Sequence, residues 1–513
     1  MQPNQRNVSF VGNTLSKYVS FVGITSVDLV SFVGNRYILG VSFVGDSFMR
    51  ELDEYELALQ YGEYIERDVY QKLLKWKAED ARQHKCLFLR GARRVGKSCL
   101  ALEFAHKEYK SFIKVSFDKA SDDVRRLFVD SLEDLDYFYD QLSVVYETKL
   151  YEGESLLILD EIQLFKPARQ AIKTLLLDGR YDILETGSLA SIVKKSKDDE
   201  KYLIPSEEIK IDVLPLTFKE YLKANKKDDM TKFIEKVVGS KKTFQAAYRS
   251  IYKEFRDYLF VGGMPKCVAT YLKTRDLTKV EEEKRGIVEL YYDDFSLQEN
   301  VNSLYLTSIF NLIPSELSNH DKRFKLSHIS SNARVREYGS AFKWLKDAYI
   351  VNICHNATDP SVVPVLNADG DDIKAYFLDT GLLYTLSFMK TQEDELFYKS
   401  LVHDKLHINE GMFIENYVAQ VLKTKGYKDL FFYEKRDAKT FRTIMEIDFL
   451  TIAGRKVAPI EVKSSDEISL TSIKKFKQTF DGKVTNGIVI YDGDYKIEDN
   501  ITYLPVFALD WYL

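Results

Sequence analysis

The sequence has 513 residues, a length that as a soft prior suggests about three domains of ordinary size. Hydrophobic residues make up 45% and charged residues 29%, with 33 Tyr and 32 Phe, which indicates globular domains with normal cores and excludes a disordered chain. The formal net charge of −5 excludes a uniformly basic coat, so any contact with nucleic acid requires a local basic patch.

The first 48 residues contain an internal repeat. The pentapeptide Val-Ser-Phe-Val-Gly ends at Gly12, Gly23, Gly34 and Gly45, a strict spacing of eleven residues. Helices tolerate Val, Ser and Gly poorly, which disfavours a coiled coil, and four short turns would make only a marginal β-solenoid. We therefore predict a disordered tract over residues 1–48, translated from a DNA repeat, and a functional chain that begins at Met49.

A phosphate-binding motif follows a short apolar run that begins at Cys86 and is typical of a buried strand. GARRVGKS, Gly91–Ser98, matches GxxxxGK[ST], and the next residues have the apolar spacing of a helix. The glycines let the backbone wrap the phosphates, Lys97 is expected to reach the β- and γ-phosphates, and the Ser98 hydroxyl is expected to bind Mg²⁺. The predicted nucleotide contacts in this motif are Gly91, Gly96, Lys97, Ser98 and Cys99.

Two further apolar strands complete the predicted nucleotide site. The run Leu156–Leu159 ends in Asp160 and Glu161, where one carboxylate would bind Mg²⁺ and the next would orient and deprotonate the attacking water. The strand YDILETGS would place Thr186 and Ser188 near the γ-phosphate as polar sensors. For Arg93 and Arg94 in the loop, contact with phosphate, contact with a neighbouring subunit and simple solvation stay open.

Several stretches after Met49 carry a resemblance. They are FLRGARRVGKS, LLILDEIQ, ILETGS, LPLTFKEYL (Leu214–Leu222), FVGGMP (Phe260–Pro265), FLDTGLL (Phe377–Leu383) and the C-terminal half. In these stretches the chain resembles a large prokaryotic family of AAA-type ATPases in which a P-loop core precedes a C-terminal domain of unknown function. The resemblance implies ATP binding, leaves the biological role open, and suggests that LPLTFKEYL is a docking segment and not a catalytic one.

The middle of the chain has features of a winged helix. A short helix around Ser327–Ser331, a turn and a second helix through Lys346 would form a helix-turn-helix, and the strand Tyr349–Ile353 would begin a wing. Seven Lys or Arg and two Asp or Glu lie between Lys322 and Asp347, a local charge of +5. The candidates for DNA contact are Arg334, Arg336, Lys343 and Lys346. A purely structural lid is the alternative.

Four residues near the C-terminus have the order expected of a PD-(D/E)XK nuclease. Glu415 lies on a predicted helix, Asp448 on a predicted strand, and Glu461 and Lys463 two apart on the next strand, where they share one face. Asp448 and Glu461 would bind Mg²⁺, Glu415 would support the metal or its water, and Lys463 would activate water. The alternative is a domain that keeps this fold without cutting DNA.

These patterns predict an α/β protein: a repeat tract (1–48), a P-loop NTPase parallel-sheet core (49–212), a helical and winged-helix region (213–400) and a restriction-endonuclease-like α/β domain (401–513). The leading interpretation is an ATP hydrolase that uses ATP and Mg²⁺ and acts on DNA; the alternative is a nucleotide-controlled switch or scaffold for a protein partner. Scattered cysteines and no spanning apolar run favour a cytoplasmic location without membrane contact. A homo-oligomer is one open expectation.

Overall fold

The computed structural model describes most of the chain after Glu51, together with two strands before it. The described residues are 28–33, 36–41, 52–187, 206–298, 301–319, 321–329, 335–360, 368–389, 398, 410–437, 439–440, 442–463 and 470–513. They fall into two compact units, Met1–Leu57 and Ala58–Leu513. None of the helices in this described part is long and apolar enough to cross a membrane.

Fifteen strands are described. They are β1 Asp28–Val33, β2 Arg36–Val41, β3 Cys86–Arg90, β4 Ser111–Ser116, β5 Ser155–Asp160, β6 Asp182–Gly187, β7 Glu208–Asp212, β8 Val351–Ala357, β9 Ala368–Phe377, β10 Leu430–Arg436, β11 Thr443–Ala453, β12 Lys456–Lys463, β13 Ile488–Tyr491, β14 Lys496–Glu498 and β15 Ile501–Pro505.

The described α-helices follow in chain order. They are Glu54–Gln60, Tyr70–Glu79, Lys97–Glu108, Asp122–Asp130, Leu135–Val145, Lys166–Asp178, Phe218–Ala224, Asp228–Ser240, Tyr248–Val261, Pro265–Thr274, Leu277–Ser296, Ser303–Ser318, Val335–Asp347, Thr380–Phe388, Glu410–Thr424, Thr471–Thr479 and Leu509–Tyr512. Short 3₁₀ turns occur at Ala81–Gln83, Ile162–Leu164, Gln245–Ala247, Leu326–His328 and Val506–Ala508.

The first unit contains an antiparallel pair of strands within the repeat tract. β1 and β2 pair so that Phe32 faces Tyr37 and Val30 faces Leu39. These two strands lie within the tract for which disorder is predicted, and the division of the chain at residue 48 stays a prediction. Their β-branched, aliphatic and aromatic residues favour extended structure, and the antiparallel pairing satisfies their backbone groups.

A five-stranded parallel sheet forms the first layer of the larger unit. Its order is β4-β5-β6-β3-β7, and every neighbouring pair is parallel. All six residues of β5 are buried, which is why this strand reads as a continuous apolar run. Burying each large aliphatic side chain contributes about 1.5–3 kcal/mol, so a layer of such strands makes a rigid platform for the loops at its edge.

Helices between residues 218 and 347 form the middle of the unit, and three of them begin at a polar residue whose side chain caps the first turn. Thr217 and Glu220 form a reciprocal capping box at the helix Phe218–Ala224. Asp276 and Asn302 cap the helices Leu277–Ser296 and Ser303–Ser318. Such caps satisfy backbone N–H groups that the first turn leaves unpaired, so each helix has a defined start.

An eight-stranded mixed sheet forms the third layer, in the order β14-β15-β13-β12-β11-β10-β8-β9. β12 is antiparallel to β11 and parallel to β13, and the helix Thr471–Thr479 lies between β12 and β13 in the chain. β8 pairs with β9 and also runs parallel to β10. The sheet therefore crosses the predicted boundary between residues 400 and 401.

The predicted winged helix agrees with the structure only in part. Its second helix is present as Val335–Asp347, but the described residues of the first are a 3₁₀ turn, Leu326–His328, and residues 330–334 lie outside the described part. The predicted wing strand at Tyr349–Ile353 begins instead at Val351. It is β8, and its apolar residues are buried inside the mixed sheet.

Candidate nucleotide site and carboxylate cluster

The P-loop connects the end of β3 to the helix Lys97–Glu108. A side chain at Gly91 would collide with the carbonyl oxygen of Val213, so only glycine fits this close approach. Gly96 has a φ of 91° and caps the helix, a backbone conformation that glycine adopts without strain. The loop therefore presents a helix N-terminus, which favours bound anions.

Lys97 lies inside the loop, with only 6% of its surface exposed. Its Nζ donates to the carbonyl oxygens of Gly91 (3.1 Å) and Ala92 (3.0 Å). Burial lowers the pKa of Lys97, and this effect outweighs the opposite influence of Glu161 and Asp160. Burial has removed water from the ammonium group, and an anion that binds in the loop would compensate for that loss.

Asp160 ends β5 and gathers polar groups from three neighbouring elements. Its Oδ1 accepts from the hydroxyl of Ser98 (3.0 Å) and from that of Thr186. Its Oδ2 faces Ser116 Oγ (3.3 Å) and Lys114 Nζ (3.2 Å). Burial alone would raise the pKa of Asp160, but the charge of Lys114 and the hydroxyl donors outweigh this effect. The pKa of Asp160 is therefore lowered, and its carboxylate is ionised.

Glu161 occupies a strained position directly after Asp160. Its φ of 52° places a non-glycine residue in the left-handed region. Its backbone N donates to Thr186 Oγ1 at 3.2 Å, and its carboxylate accepts from the Gln163 amide. Strained backbone of this kind persists only where surrounding contacts enforce it, and it is frequent in active sites.

The structure brings together most of the predicted nucleotide-site residues. Ser98, Asp160 and Thr186 share direct hydrogen bonds, Lys97 and Glu161 lie beside them, and Cys99 is half-buried in the P-loop helix. Ser188 lies outside the described residues. A hydroxyl, a carboxylate, an ammonium group and the N–H groups at a helix N-terminus are the groups that a metal-bound triphosphate needs, so the residues present fit such a ligand.

Sequence reasoning missed three residues around the P-loop. Arg67 donates to the carbonyl oxygens of Val95 (3.0 Å) and Leu214 (2.6 Å), which ties the loop to the LPLTFKEYL segment. Lys114 and Ser116 reach Asp160 from β4. Lys114 and Ser116 alternate with apolar residues along β4, and this pattern could have indicated that they share one face of a strand. Arg67 lies in a stretch without a recognisable pattern.

The four predicted nuclease residues also come together, but lysines lie between the carboxylates. The Nζ of Lys463 lies 2.9 Å from Glu461 Oε2, and Asp448 Oδ2 accepts from the backbone N of Val462 (2.8 Å). Glu415 accepts from the ammonium group of Lys322 and, at 3.3 Å, from the hydroxyl of Tyr376. Lys322 and Tyr376 were not predicted, since each is remote in sequence from this cluster.

A third lysine, Lys374, is fully buried in the same cluster. Its Nζ lies 2.9 Å from Glu446 and 3.8 Å from Asp448. Burial, followed by the charge of Asp448, raises the pKa of Glu461 to about 8 despite the opposite effect of Lys463. Among the described residues, the ligand oxygens of Glu415, Asp448 and Glu461 do not form a group within 4.8 Å of one another.

Several basic residues of the predicted DNA-binding patch are occupied in ion pairs. These pairs are Lys322–Glu415, Arg323–Asp372 at 2.8 Å, Lys325–Asp321 at 3.0 Å and Lys346–Asp429 at 2.7 Å. Lys343 is exposed. Arg334 and the side chain of Arg336 lie outside the described part of the chain. Four of the seven basic residues of the predicted patch are thus paired with carboxylates.

FVGGMP and FLDTGLL, two of the motifs that carry the family resemblance, pack directly against each other although both are far from the P-loop in sequence. Asp379 of FLDTGLL is fully buried and accepts from the backbone N of Gly263 in FVGGMP (2.6 Å) and of Leu382 (3.0 Å). A Cβ on Gly381 would lie 2.7 Å from the Cα of Gly262. These contacts hold the two motifs against each other.

Comparison with known protein families finds three matches. The family described as AAA domain matches residues 83–222. Families described as domains of unknown function (DUF8612 and DUF4143) match residues 252–393 and 410–509. The first match covers the parallel sheet and the P-loop, and the other two assign no activity to the rest of the chain.

Two relatives and two solved structures are also similar to this chain. Uncharacterized proteins MJ1544 and MJ1637 of Methanocaldococcus jannaschii are 23% and 24% identical, over 79% and 71% of this chain and 78% and 72% of theirs. The Walker-type ATPase PABY2304 of Pyrococcus abyssi is 14% identical, with a TM-score of 0.38 over 63% of this chain and 96% of that chain. The ORC2 protein of Aeropyrum pernix is 14% identical, with a TM-score of 0.34 over 64% and 96%.

The AAA match over residues 83–222 confirms the predicted ATP hydrolase, whereas the predicted action on DNA stays a prediction. The chain is an ATP hydrolase with an α/β fold and a five-stranded parallel sheet, and its residues 83–222 are similar to AAA domains. The match of residues 410–509 to a family of unknown function gives no support to a nuclease.

Proposed function

We propose that the chain binds ATP with Mg²⁺ at Gly91–Ser98 and works as a nucleotide-controlled switch. The observation that carries this proposal is the 3.0 Å hydrogen bond between Ser98 Oγ and Asp160 Oδ1, beside the buried Lys97. Ser98 and Asp160 would hold the ion, and Lys97 with the loop N–H groups would hold the phosphates. When bound, ATP·Mg²⁺ supplies the cleavable phosphoanhydride and neutralises its charge.

The protein's own groups would position and activate the attacking water. Glu161 is the candidate base, because it follows Asp160 and its backbone is fixed by Thr186. Thr186 donates to Asp160 and accepts from the Glu161 N–H, so a single hydroxyl links the metal ligand to the base. Ser188 is the further sensor that the sequence proposes.

The switch proposal rests on contacts between the P-loop and the helix Leu277–Ser296. Arg93 Nη1 lies 2.7 Å from Asp294, and Tyr291 donates to the Arg93 carbonyl at 3.3 Å. A loop that adjusts to a nucleotide would therefore move a helix of the middle region. The coupling requires that the nucleotide bind the two arrangements with different affinity.

Substitution of Lys97 tests the nucleotide site. Lys97→Ala should abolish ATP turnover, because the ammonium group that neutralises the phosphates is removed. The control Lys75→Ala, which changes an exposed side chain, should behave as wild type. Glu161→Gln should keep ATP binding and lose at least about 100-fold in kcat, the usual effect of a lost general base. Steady-state phosphate release and calorimetric ATP binding give both readouts. Unchanged hydrolysis in Lys97→Ala would refute the assignment.

A second candidate is Mg²⁺-dependent cleavage of DNA by the C-terminal domain. It is favoured by Glu461 and Lys463, which lie on one face of β12 with the side chain of Asp448 on the neighbouring strand. Against it, three lysines already neutralise Glu415, Asp448 and Glu461, and the raised pKa of Glu461 disfavours the ionised ligand. We therefore rank the switch above the nuclease.

An incubation with nucleic acid distinguishes the two candidates. Wild type and Lys463→Ala would be incubated with plasmid, single-stranded DNA and RNA, with Mg²⁺ or Mn²⁺, and with or without ATP. Cleavage by wild type that Lys463→Ala loses would establish the nuclease. Equal behaviour of both proteins would leave the switch, and binding of DNA without cleavage would assign DNA to it as a partner.

A further inference from the structure

The two carboxylate oxygens of Asp160 have different neighbours. Oδ1 accepts from Ser98 and Thr186, so it belongs to the side of the P-loop helix. Oδ2 lies 3.2 Å from Lys114 Nζ and 3.3 Å from Ser116 Oγ, so it is held from β4. One oxygen is thus directed at the proposed metal ligands and the other is anchored away from them.

The position of Lys114 is set by the sheet. β4 and β5 pair so that Ser116 faces Asp160 and Lys114 faces Ile158. Residues two apart on a strand share a face, which places Lys114 and Ser116 side by side against Asp160. The Lys114 side chain is 15% exposed, so its charge is only partly screened by water. The backbone of Lys114 cannot move away without breaking the β4–β5 ladder.

The charges around the nucleotide site balance without a ligand. Lys97, Lys114, Arg93 and Arg94 provide four positive charges, and Asp118, Asp160, Glu161 and Asp294 provide four negative ones. A divalent ion is attracted by an excess of negative charge, which this set does not have. A nucleoside triphosphate brings that excess with it.

We propose that the charge of Lys114, held 3.2 Å from Asp160 Oδ2, prevents a divalent ion from binding to Asp160 before the nucleotide. The ion then enters as part of the nucleotide complex. This inference rests on the proposed nucleotide site, and it adds the order in which the two ligands arrive. It also means that β4, an outer strand of the parallel sheet, carries a residue that controls metal binding.

The test measures binding of Mn²⁺ alone, by electron paramagnetic resonance of the free ion, to the full chain without nucleotide. Mn²⁺ binding at the P-loop site is the part of the total that is lost when Asp160→Asn is added to wild type or to a Lys114 variant. Lys114→Met leaves this set of residues with a net charge of −1, so the Mn²⁺ affinity of the P-loop site should rise by about ten-fold. One neighbouring charge changes the proton affinity of a carboxylate on this scale. Lys114→Arg keeps the charge and should bind Mn²⁺ as wild type does.

Lys110→Met is the matched control, because Lys110 precedes the same strand and pairs with Glu154, 3.1 Å away on the exposed surface. It should leave Mn²⁺ binding unchanged. A purely structural role for Lys114 predicts the opposite of the proposal, namely weaker Mn²⁺ binding in Lys114→Met together with a lower unfolding temperature. Weaker or unchanged binding in a folded Lys114→Met would overturn the proposal. If this variant does not fold, Lys114→Gln carries the same expectations.

The outcome is separable from that of the proposed function. ATP binding in the presence of Mg²⁺ is measured on wild type alone, and failure there removes the nucleotide site itself. If wild type binds ATP·Mg²⁺ but Lys114→Met shows no gain in Mn²⁺ affinity, only the role of Lys114 is lost.

Discussion

At the scale of single residues, buried lysines respond to their surroundings in opposite ways. Burial lowers the pKa of Lys97, since its carboxylate neighbours compensate only in part. Burial acts in the same direction on Lys374, but Glu446, Glu415 and Asp448 outweigh it and raise its pKa. The first lysine is therefore ready for a new anionic partner, whereas the second already has its partners.

A pH-dependent stability follows from Glu461, whose pKa of about 8 exceeds its ordinary value of 4.5. Between these two values the folded protein holds a proton that the unfolded chain releases, so the free energy of unfolding falls as pH rises through this window. Glu461→Gln should reduce that loss and be more stable than wild type at pH 8 by at least about 1 kcal/mol. Urea unfolding at pH 5.5 and pH 8 measures it, with the exposed Glu498→Gln as control. Parallel pH profiles for wild type and Glu461→Gln would contradict the expectation.

At the scale of elements, the strands and the P-loop could be predicted from sequence, while their partners could not. Continuous apolar runs identified β3 and β5, because parallel strands buried on both faces have this pattern. The predicted helix-turn-helix agrees with the described residues only in part, and β8 begins two residues later than the predicted wing strand. An apolar strand after a helix is equally compatible with a wing and with a strand of a larger sheet. Lys322 and Lys374 reach Glu415 and Asp448 by tertiary folding, which no local pattern records.

The contact between Gly263 and the LPLTFKEYL segment gives an element-scale prediction. A Cβ on Gly263 would lie 2.8 Å from the backbone nitrogen of Leu216 and closer still to its carbonyl oxygen, so the two segments would have to separate. Gly263→Ala should lower the free energy of unfolding by about 1–3 kcal/mol, as overpacking does. The control Gly286→Ala, inside a helix and with open space around it, should raise stability by about 0.5–1 kcal/mol. Denaturant unfolding distinguishes them, and equal effects of the two substitutions would contradict the packing argument.

At the scale of the whole molecule, the mixed sheet joins the middle of the chain to its C-terminus. Leu430 of β10 pairs with Cys354 of β8, and the backbone N–H of Phe377 in β9 donates to Asn416 Oδ1 at 2.7 Å. The predicted division into 213–400 and 401–513 followed the change of motifs along the sequence. Sequence motifs mark chemistry, whereas hydrogen-bonded strands mark the unit that folds.

Cleavage of the chain tests this joined sheet. A protease site inserted between residues 400 and 401 and cut under native conditions should leave two pieces that co-elute in gel filtration, because β8 and β10 stay hydrogen-bonded across the cut. The pieces should separate only in denaturant, and uncut protein carrying the same insertion is the control. Separation in native buffer would show that the two parts are independent.

The interlock of Asp379 with Gly262 and Gly263 has a consequence for genetics. Because the Asp379 side chain fills the space at Gly262 and neighbouring backbone fills it at Gly263 and Gly381, replacements at these glycines should destabilise the fold and so reduce function, most of all when the new side chain is large. A screen of random variants would then score these positions alongside Lys97 without any of them meeting the nucleotide. In this chain, intolerance to substitution does not identify a catalytic residue, and only a biochemical assay on folded variants can separate the two.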